Sequence, residues 1–193
     1  MRIGIFGGSF NPIHKGHTAL AQAVCDAGWV DRVWLMVSPQ NPLKPTEGLL
    51  DEALRLRLAR LAVREMPDLE ASDFEFHLPR PSYTYRTLEC LAETFPDNLF
   101  TLIIGGDNWD LFPRWRNADE ILRRWSVVVY PRSDASMPAA DPRYPNVHFM
   151  PSAPLFPVSS TEIRQSIVRG DDASDWLDES VAAEISRRGL FKD

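Results

Sequence analysis

Two histidines and a run of hydroxyls carry most of the chemistry that this sequence offers. His14 and His17 stand three residues apart in GGSFNPIHKGH, directly after the apolar run RIGIF (2–6) and the glycines Gly7 and Gly8. Imidazoles donate hydrogen bonds to phosphate oxygens and can carry positive charge beside them. Gly16 and His17 open the stretch HTALAQAVCDAG (17–28), whose apolar residues recur at helical spacing and which ends on a glycine. The free N–H groups of such a helix start, with the helix dipole, attract an anion. Gly7 and Gly8 let the chain turn sharply and approach a ligand with no Cβ in the way. Geometry of this kind suits a polyphosphate. Two other readings stand beside it: a tight strand-to-helix turn carrying two surface histidines, and a metal pair. The metal pair lacks the i, i+4 spacing of HExxH and has no third Cys, His or carboxylate close in sequence.

A second cluster lies far along the chain, in VSSTEIR (158–164). Ser159 with Glu162 makes a capping box, and Ser160, Thr161 and Arg164 crowd the first helical turn. Hydroxyls, free amides and one guanidinium at a helix start form either a phosphate clamp or an ordinary capped surface helix. Between the two clusters, Asp107 follows the glycine pair Gly105–Gly106. It either accepts hydrogen bonds from ribose hydroxyls or caps a helix. Trp115, between Arg114 and Arg116, either stacks on a ligand ring or belongs to the core. Lys44 either reaches a phosphate or is a solvated loop lysine. His77 and His148 have no motif around them and read as structural. Asp51, Glu52 and Asp119 read as helix-start charges.

These residues need a scaffold, and the hydrophobic pattern supplies one. Strands are expected at 2–6, 32–37, 69–76, 99–105, 125–130 and 147–150. Helices are expected at 17–28, 51–66, 83–95, 117–124, 159–170 and 179–189. Ser82 or Thr84 is the expected cap of the third helix, and Asn117 with Glu120 of the fourth. Residues 38–50 and 131–146 are rich in proline and read as loops, the second a mobile one. Strands alternate with helices, and several strands are continuously apolar, as in a mainly parallel sheet covered on both faces. The expected fold class is therefore α/β, a doubly wound sheet. Ligands of such sheets bind beyond the carboxyl ends of the strands, where both glycine pairs fall.

The 193 residues suit a single domain, 1–193, with a C-terminal helical part at about 159–193. A net charge of −6 argues against a nucleic-acid partner, which needs clustered Lys and Arg, but leaves room for a small anionic ligand. Charged residues interrupt every apolar run, so no membrane span is expected, and RIGIF is too short for a secretory leader. Cys25 and Cys90 form neither a CxxC pair nor a disulfide framework, which fits a reducing, cytoplasmic setting.

GGSFNPIHKGH resembles the signature of the nucleotidyltransferases, whose usual form is G-[ST]-F-[DN]-P-x-H-x-G-H and whose HxGH core is shared with class I aminoacyl-tRNA synthetases. VSSTEIR is similar to their ISSTxIR-like sequence, with Val158 in place of Ile. YTYRTL (83–88) looks like the T-x-x-T-L of bacterial nicotinate mononucleotide adenylyltransferases. IIGGDNWDLFPRW (103–115) resembles their I-x-G-x-D…L-x-x-W, and PQNPLKP (39–45) their loop carrying an asparagine and a lysine. The resemblance runs through essentially the whole chain in the right order. It departs at 131–157, where the family's Arg-Pro-Gly is represented only by Arg132-Ser133.

The resemblance implies a Rossmann-like domain that joins ATP to nicotinate mononucleotide, releasing deamido-NAD and pyrophosphate, with Mg²⁺ held mainly through the ATP phosphates. It implies catalytic roles for His14, His17 and Arg164. Gly7, Gly8, Ser9, Phe10, His14, His17, Ser159, Ser160, Thr161, Ile163 and Arg164 would bind ATP. Asn41, Lys44, Thr84, Thr87, Gly105, Asp107 and Trp115 would bind the mononucleotide. Phosphopantetheine adenylyltransferase shares the fold and first motif but not the TxxTL and GxD…W segments. Class I synthetases are excluded by length and by the missing KMSKS. A non-catalytic nucleotide-binding module is disfavoured by two intact phosphate motifs. No Asp or Glu lies between Phe76 and Leu88 to accept from an amide, so the acid is the expected acceptor.

Overall fold

The computed structural model describes residues 1–39, 48–131 and 142–192. Among them run β1 (Arg2–Gly8), α1 (Lys15–Asp26), β2 (Arg32–Val37), α2 (Glu52–Ala62), β3 (Leu69–Ser72), α3 (Thr84–Thr94), β4 (Leu99–Gly105), α4 (Gly106–Leu111), α5 (Ala118–Arg124), β5 (Ser126–Tyr130), β6 (Val147–Phe149), α6 (Ser160–Arg169) and α7 (Glu179–Arg188). The strands form one sheet in the order β3-β2-β1-β4-β5-β6. Every pairing is parallel. The chain winds outward from β1 to β3, returns to β4 on the other side of β1, and winds outward again. The crevice between the carboxyl ends of β1 and β4 is thus the switch point where such sheets take ligands.

Strand side chains point to alternate faces, so an apolar run feeds two cores at once. Ile3, Ile5, Leu102, Ile104, Val127 and Val129 pack beneath α3 and α5 with Leu88, Leu91, Ile121 and Trp125. Phe6, Val33, Leu35, Ile103 and Val128 pack on the opposite face with Leu20 and Val24 of α1, Leu58 of α2, Ile163 of α6 and Val181 and Ile185 of α7. The expected doubly wound fold is present. Several element ends differ from the pattern. Helix α1 starts at Lys15 because His14 is its N-cap. Only Leu69–Ser72 of the third expected strand pairs, and Phe74–His77 turns into a 3₁₀ helix. Helix α3 begins after Tyr83 with no side-chain cap, and Asn117 adopts φ 56° without capping α5. Helix α4, directly after β4, has no apolar period in the sequence to announce it. Of the expected loop 131–146, residues 132–141 lie outside the described residues. No described helix is long and apolar enough to cross a membrane.

Helix α7 is fastened to α2 through one carboxylate. Glu184 is nearly enclosed and accepts from Arg57 Nε at 2.7 Å, from Arg187 Nη2 at 2.8 Å and from Arg188 Nε. The guanidinium of Arg188, then those of Arg57 and Arg187, hold its pKa down at about 2, against an ordinary 4.5. A carboxylate bound more tightly as the anion in the folded state adds stability above its unfolded pKa and loses it as pH falls through the folded one. Glu184→Gln should therefore lower the thermal midpoint at pH 7, and its deficit against wild type should shrink from about pH 4.5 down to about pH 2. Melting curves across that range check this; a deficit that stays constant would place the contribution elsewhere.

Candidate active site

The turn between β1 and α1 builds one half of the site. Both glycines lie inside β1, and neither has a positive φ. The turn is made instead by Phe10, at φ 47°. Such a backbone is strained for a residue with a side chain, and surrounding packing has to hold it. Here the Phe10 ring is buried, edge-on to Phe6 at 5.9 Å and to His17 at 5.1 Å. A Cβ on Gly8 would sit 2.9 Å from that ring, so Gly8 makes room for the turn. At Gly7 a Cβ would meet nothing within 4 Å, which leaves the strand end open at the crevice. Ser9, between Gly8 and Phe10, is half-buried.

His14 caps α1, and its backbone N–H donates to Nδ1 of His17 at 3.2 Å. Nδ1 of His17 is then an acceptor, and in the neutral ring the proton sits on Nε2. The two imidazoles lie 3.7 Å apart between centroids. A Cβ on Gly16 would come within 3.0 Å of both the His14 ring and Phe156 Cβ, so only glycine lets these segments close up. No acidic residue stands in the first turn of α1 to offset its dipole.

Helix α6 supplies the other half. Ser159 and Glu162 form the expected capping box, with Glu162 Oε2 accepting from Ser159 N at 2.7 Å and Ser159 Oγ accepting from Glu162 N at 3.2 Å. These bonds to Ser159 hold the Glu162 carboxyl below its ordinary range. Ser160 Oγ donates to Pro12 O at 2.9 Å, and Arg164 donates to Asn11 O at 2.7 Å and Thr161 Oγ1 at 3.2 Å. Partial burial lowers the Arg164 pKa, but a guanidinium stays charged at any working pH. The N-termini of α1 and α6 thus converge on a cleft of about 350 Å³ lined by Phe6, His14, His17, Tyr130, Phe156 and Glu162. Gly7, Gly8, Ser9, Phe10, Ser160, Thr161, Ile163 and Arg164 are not among the residues that line it. The Ile163 side chain is in the core and its N–H donates to Ser159 O at 3.0 Å.

On the other side of β1 and β4 the picture differs more from expectation. Thr84 is half-buried at the first position of α3. Thr87 is buried, and its hydroxyl donates to Glu75 Oε1 at 2.8 Å. That proton is therefore not offered to a ligand carboxylate; Thr87 braces the helix start from beneath. Arg116 lies over the Tyr83 ring at 5.0 Å, which brings the segments around Thr84 and Trp115 together. Trp115 is half-buried, 5.1 Å from Phe112, and its Nε1 is enclosed without a hydrogen-bond partner. Gly105 caps α4, and Asp107 is exposed in its first turn. Asn41 and Lys44 lie outside the described residues.

Three residues matter here beyond the expected site: Asn11, which fills the [DN] position of the first motif, and Arg55 and Glu75, which no motif marks. Asn11 donates from Nδ2 to Gly48 O at 2.9 Å and accepts at Oδ1 from Leu50 N at 3.1 Å, joining the loop after β1 to the entry of α2. Arg55 is buried on the core stripe of α2, a place where an arginine needs a reason. Glu75 stands one residue before the stretch 76–88, which itself holds no Asp or Glu. Among the described residues, no three His, Cys, Asp or Glu side chains come together as a metal-binding group.

The sequence matches the cytidylyltransferase-like family over residues 5–166. A Bacteroides thetaiotaomicron protein named "Probable nicotinate-nucleotide adenylyltransferase" is 47% identical over 177 residues, which cover 92% of this chain and 87% of that one. A Flavobacterium johnsoniae protein of the same name is 39% identical over the full length of both. Among solved structures, Plasmodium falciparum nicotinic acid mononucleotide adenylyltransferase complexed with NaAD superposes with a TM-score of 0.79 at 18% identity, covering 98% of this chain and 97% of that one. At that identity the likeness speaks for the fold.

Burial drives the Glu75 carboxyl above its ordinary pKa of 4.5, while the bond from Thr87 pulls it partly back. Its Oε2 has no hydrogen-bond partner. A carboxyl that holds its proton more tightly when folded costs stability as pH rises from the unfolded pKa through the folded one. Glu75→Gln keeps the bond from Thr87 and removes that titration. The variant should gain on wild type in thermal midpoint as pH rises above about 4.5. A difference that is flat from pH 4 to pH 8 would mean that Glu75 titrates alike in both states.

Proposed function

The chain belongs to the cytidylyltransferase-like family and groups with its nicotinate-nucleotide adenylyltransferases, and from that premise we propose that it transfers the adenylyl group of ATP to nicotinate mononucleotide. The observation that carries this is the pair of helix N-termini, α1 and α6, that converge on one cleft, with α6 tied to the loop after β1 by the bond from Arg164 to Asn11 O. Two dipole ends and two imidazoles there favour a polyphosphate in a chain whose net charge is −6.

A phosphate oxygen of the mononucleotide attacks the α-phosphorus of ATP in line. The new P–O bond forms as the bond to the α,β-bridging oxygen breaks, and pyrophosphate leaves with that electron pair. The attacking oxygen is already anionic, so neither a serine or cysteine nucleophile nor a strong base is required. The protein contributes position and fixed charge. His14 and His17 bind the α- and β-phosphate region, with Nε2–H of His17 as a donor. Arg164, Ser160, Thr161 and the first turn of α6 hold the departing pyrophosphate. Gly7, Gly8, Ser9 and Phe10 shape the strand end on the ATP side; Ser159 and Ile163 act there through the cap and core packing of α6.

The family works on ATP together with a divalent metal. We take it to be Mg²⁺, entering on the ATP phosphates as part of that substrate. On the acceptor side, Thr84 with the free amides of α3 faces the nicotinate carboxylate, Trp115 stacks on the ring, and Gly105 and Asp107 meet the ribose; Asn41 and Lys44 reach the phosphate. Thr87 supports this half through Glu75. The partners are small molecules, with no nucleic acid or membrane, and the unpaired thiols Cys25 and Cys90 fit a cytoplasmic site of action.

The acid should be preferred over the amide. A helix start with no acidic residue in its first turn offers free N–H donors that match a carboxylate, whereas a carboxamide NH₂ presents a donor to those same N–H groups. A buried mismatch of that kind costs about 1–3 kcal/mol. Pyrophosphate release, measured with nicotinate mononucleotide, nicotinamide mononucleotide and phosphopantetheine, should show kcat/KM highest for the first by at least about tenfold. Equal or faster turnover of either other acceptor overturns this reading. His17→Ala should fold normally and lose about 10²–10³-fold in kcat, the scale for one preorganised donor. A folded variant with normal turnover would remove His17 from the chemistry.

A further inference from the structure

Among the described residues, Arg55 is the largest fully buried side chain that carries a charge. It lies on the stripe Arg55, Leu58, Ala59 and Ala62 that α2 turns to the core. Among the described residues no carboxylate is paired with it; Glu52 and Asp51 act on it only through space. Its partners are four backbone carbonyls. Nε donates to Leu50 O at 2.9 Å, Nη1 to Ser9 O at 2.6 Å and Ser38 O at 2.8 Å, and Nη2 to Pro39 O at 3.0 Å. Those carbonyls come from three segments: the loop after β1, the loop after β2 and the entry to α2.

The Leu50 peptide is held from both sides. Its carbonyl accepts from Arg55, and its N–H donates to Asn11 Oδ1 at 3.1 Å. The Asn11 carbonyl in turn accepts from Arg164 at 2.7 Å. An unbroken chain of hydrogen bonds therefore runs from α6 through the loop after β1 to the loop after β2. A buried guanidinium is a costly way to gain stability alone, because an apolar side chain of similar volume often serves as well. Its planar fork offers something an apolar group lacks, namely fixed distances between several acceptors at once.

We propose that Arg55 is a positioning residue that ties the ATP-side turn at Ser9 to the end of β2 at Ser38 and Pro39 and to the entry of α2 at Leu50, setting the spacing of the two substrates for in-line attack. This rests on the adenylyl-transfer reading above. Each half-site is built largely from its own loop and helix start, so each substrate binds nearly as well without the tie. Alignment between them is what is lost, and misplacement on the scale of an ångström is enough to cost about 10²-fold in rate.

The test uses the full chain, with ATP and nicotinate mononucleotide as probes. Arg55→Lys keeps the charge but not the fork. It should lower kcat by about 10²-fold while the dissociation constant of each substrate alone, by calorimetry, stays within about threefold. Arg55→Ala should recover part of its kcat when millimolar guanidinium is added, a response that a general loss of folding would not give. Arg60→Ala, an exposed arginine of the same helix that pairs with Asp73, should leave kcat unchanged. A folded Arg55→Lys with kcat near wild type overturns the proposal, as does a kcat loss matched by equal loss of binding. Failure of both Arg55 variants to fold would confine Arg55 to stability and overturn it too. If wild-type protein itself releases no pyrophosphate with any acceptor, the adenylyl-transfer reading fails instead, which is a separate result.

Discussion

A guanidinium buried without a carboxylate has to find its partners among backbone carbonyls, and in this chain it finds them at Ser9, Ser38, Pro39 and Leu50. Much of the active-site end of the sheet follows from that constraint. Carbonyls at the carboxyl ends of β1 and β2 lack ladder partners once the strands stop, and buried carbonyls need donors. One side chain with five N–H groups in a rigid plane answers several of them together. Burial lowers the Arg55 pKa, yet the group stays cationic, so four carbonyl dipoles stand where a counter-ion would otherwise be needed. Asn11 completes the arrangement from the other direction and carries it on to Arg164.

Once the loop after β1 is held in this way, the remaining geometry has little freedom. Phe10 can keep a left-handed backbone because its ring is locked against Phe6 and His17, and Gly8 leaves it space. Gly16 then lets the His14 ring and Phe156 approach, and His14 caps α1. The result is a cleft on an acidic protein that two helix N-termini and two imidazoles face. Long-range fields are screened within about 8–10 Å at ordinary salt, whereas donors in a half-enclosed cleft act at contact distance. A chain of net charge −6 can therefore hold polyphosphate without a general affinity for polyanions.

The acceptor side follows a different logic. There the polar groups are arranged in depth. Glu75 lies beneath α3 and accepts a hydrogen bond from Thr87, and Arg116 covers Tyr83 from outside. Burial raises the pKa of that carboxyl. Helix α7, although remote from the crevice, is joined to α2 through Glu184 and Arg57, so the helix that carries Arg55 is itself braced from the C-terminal side.

The sequence by itself determined what depends on local spacing. Apolar runs alternating with amphipathic helices dictated a parallel sheet with two covered faces, and the capping box of Ser159 and Glu162 formed where the S-x-x-E pattern placed it. The helix starts around His14, His17 and Arg164 were legible for the same reason, because each is set by residues a few positions apart. What lies between segments was not legible. Residues 9 and 55 meet only because β1 is a central strand and α2 packs its arginine inward; nothing in RLRLAR beyond an arginine on the apolar stripe announces it. Thr87 reads as a ligand donor until Glu75 is seen beneath it, and Gly8 reads as a turn until Phe10 is seen to make the turn. Only the tertiary structure decided these, because a hydrogen bond or a steric gap depends on positions in space. The chain's periodicity says which face a residue takes, but not which distant residue faces it there.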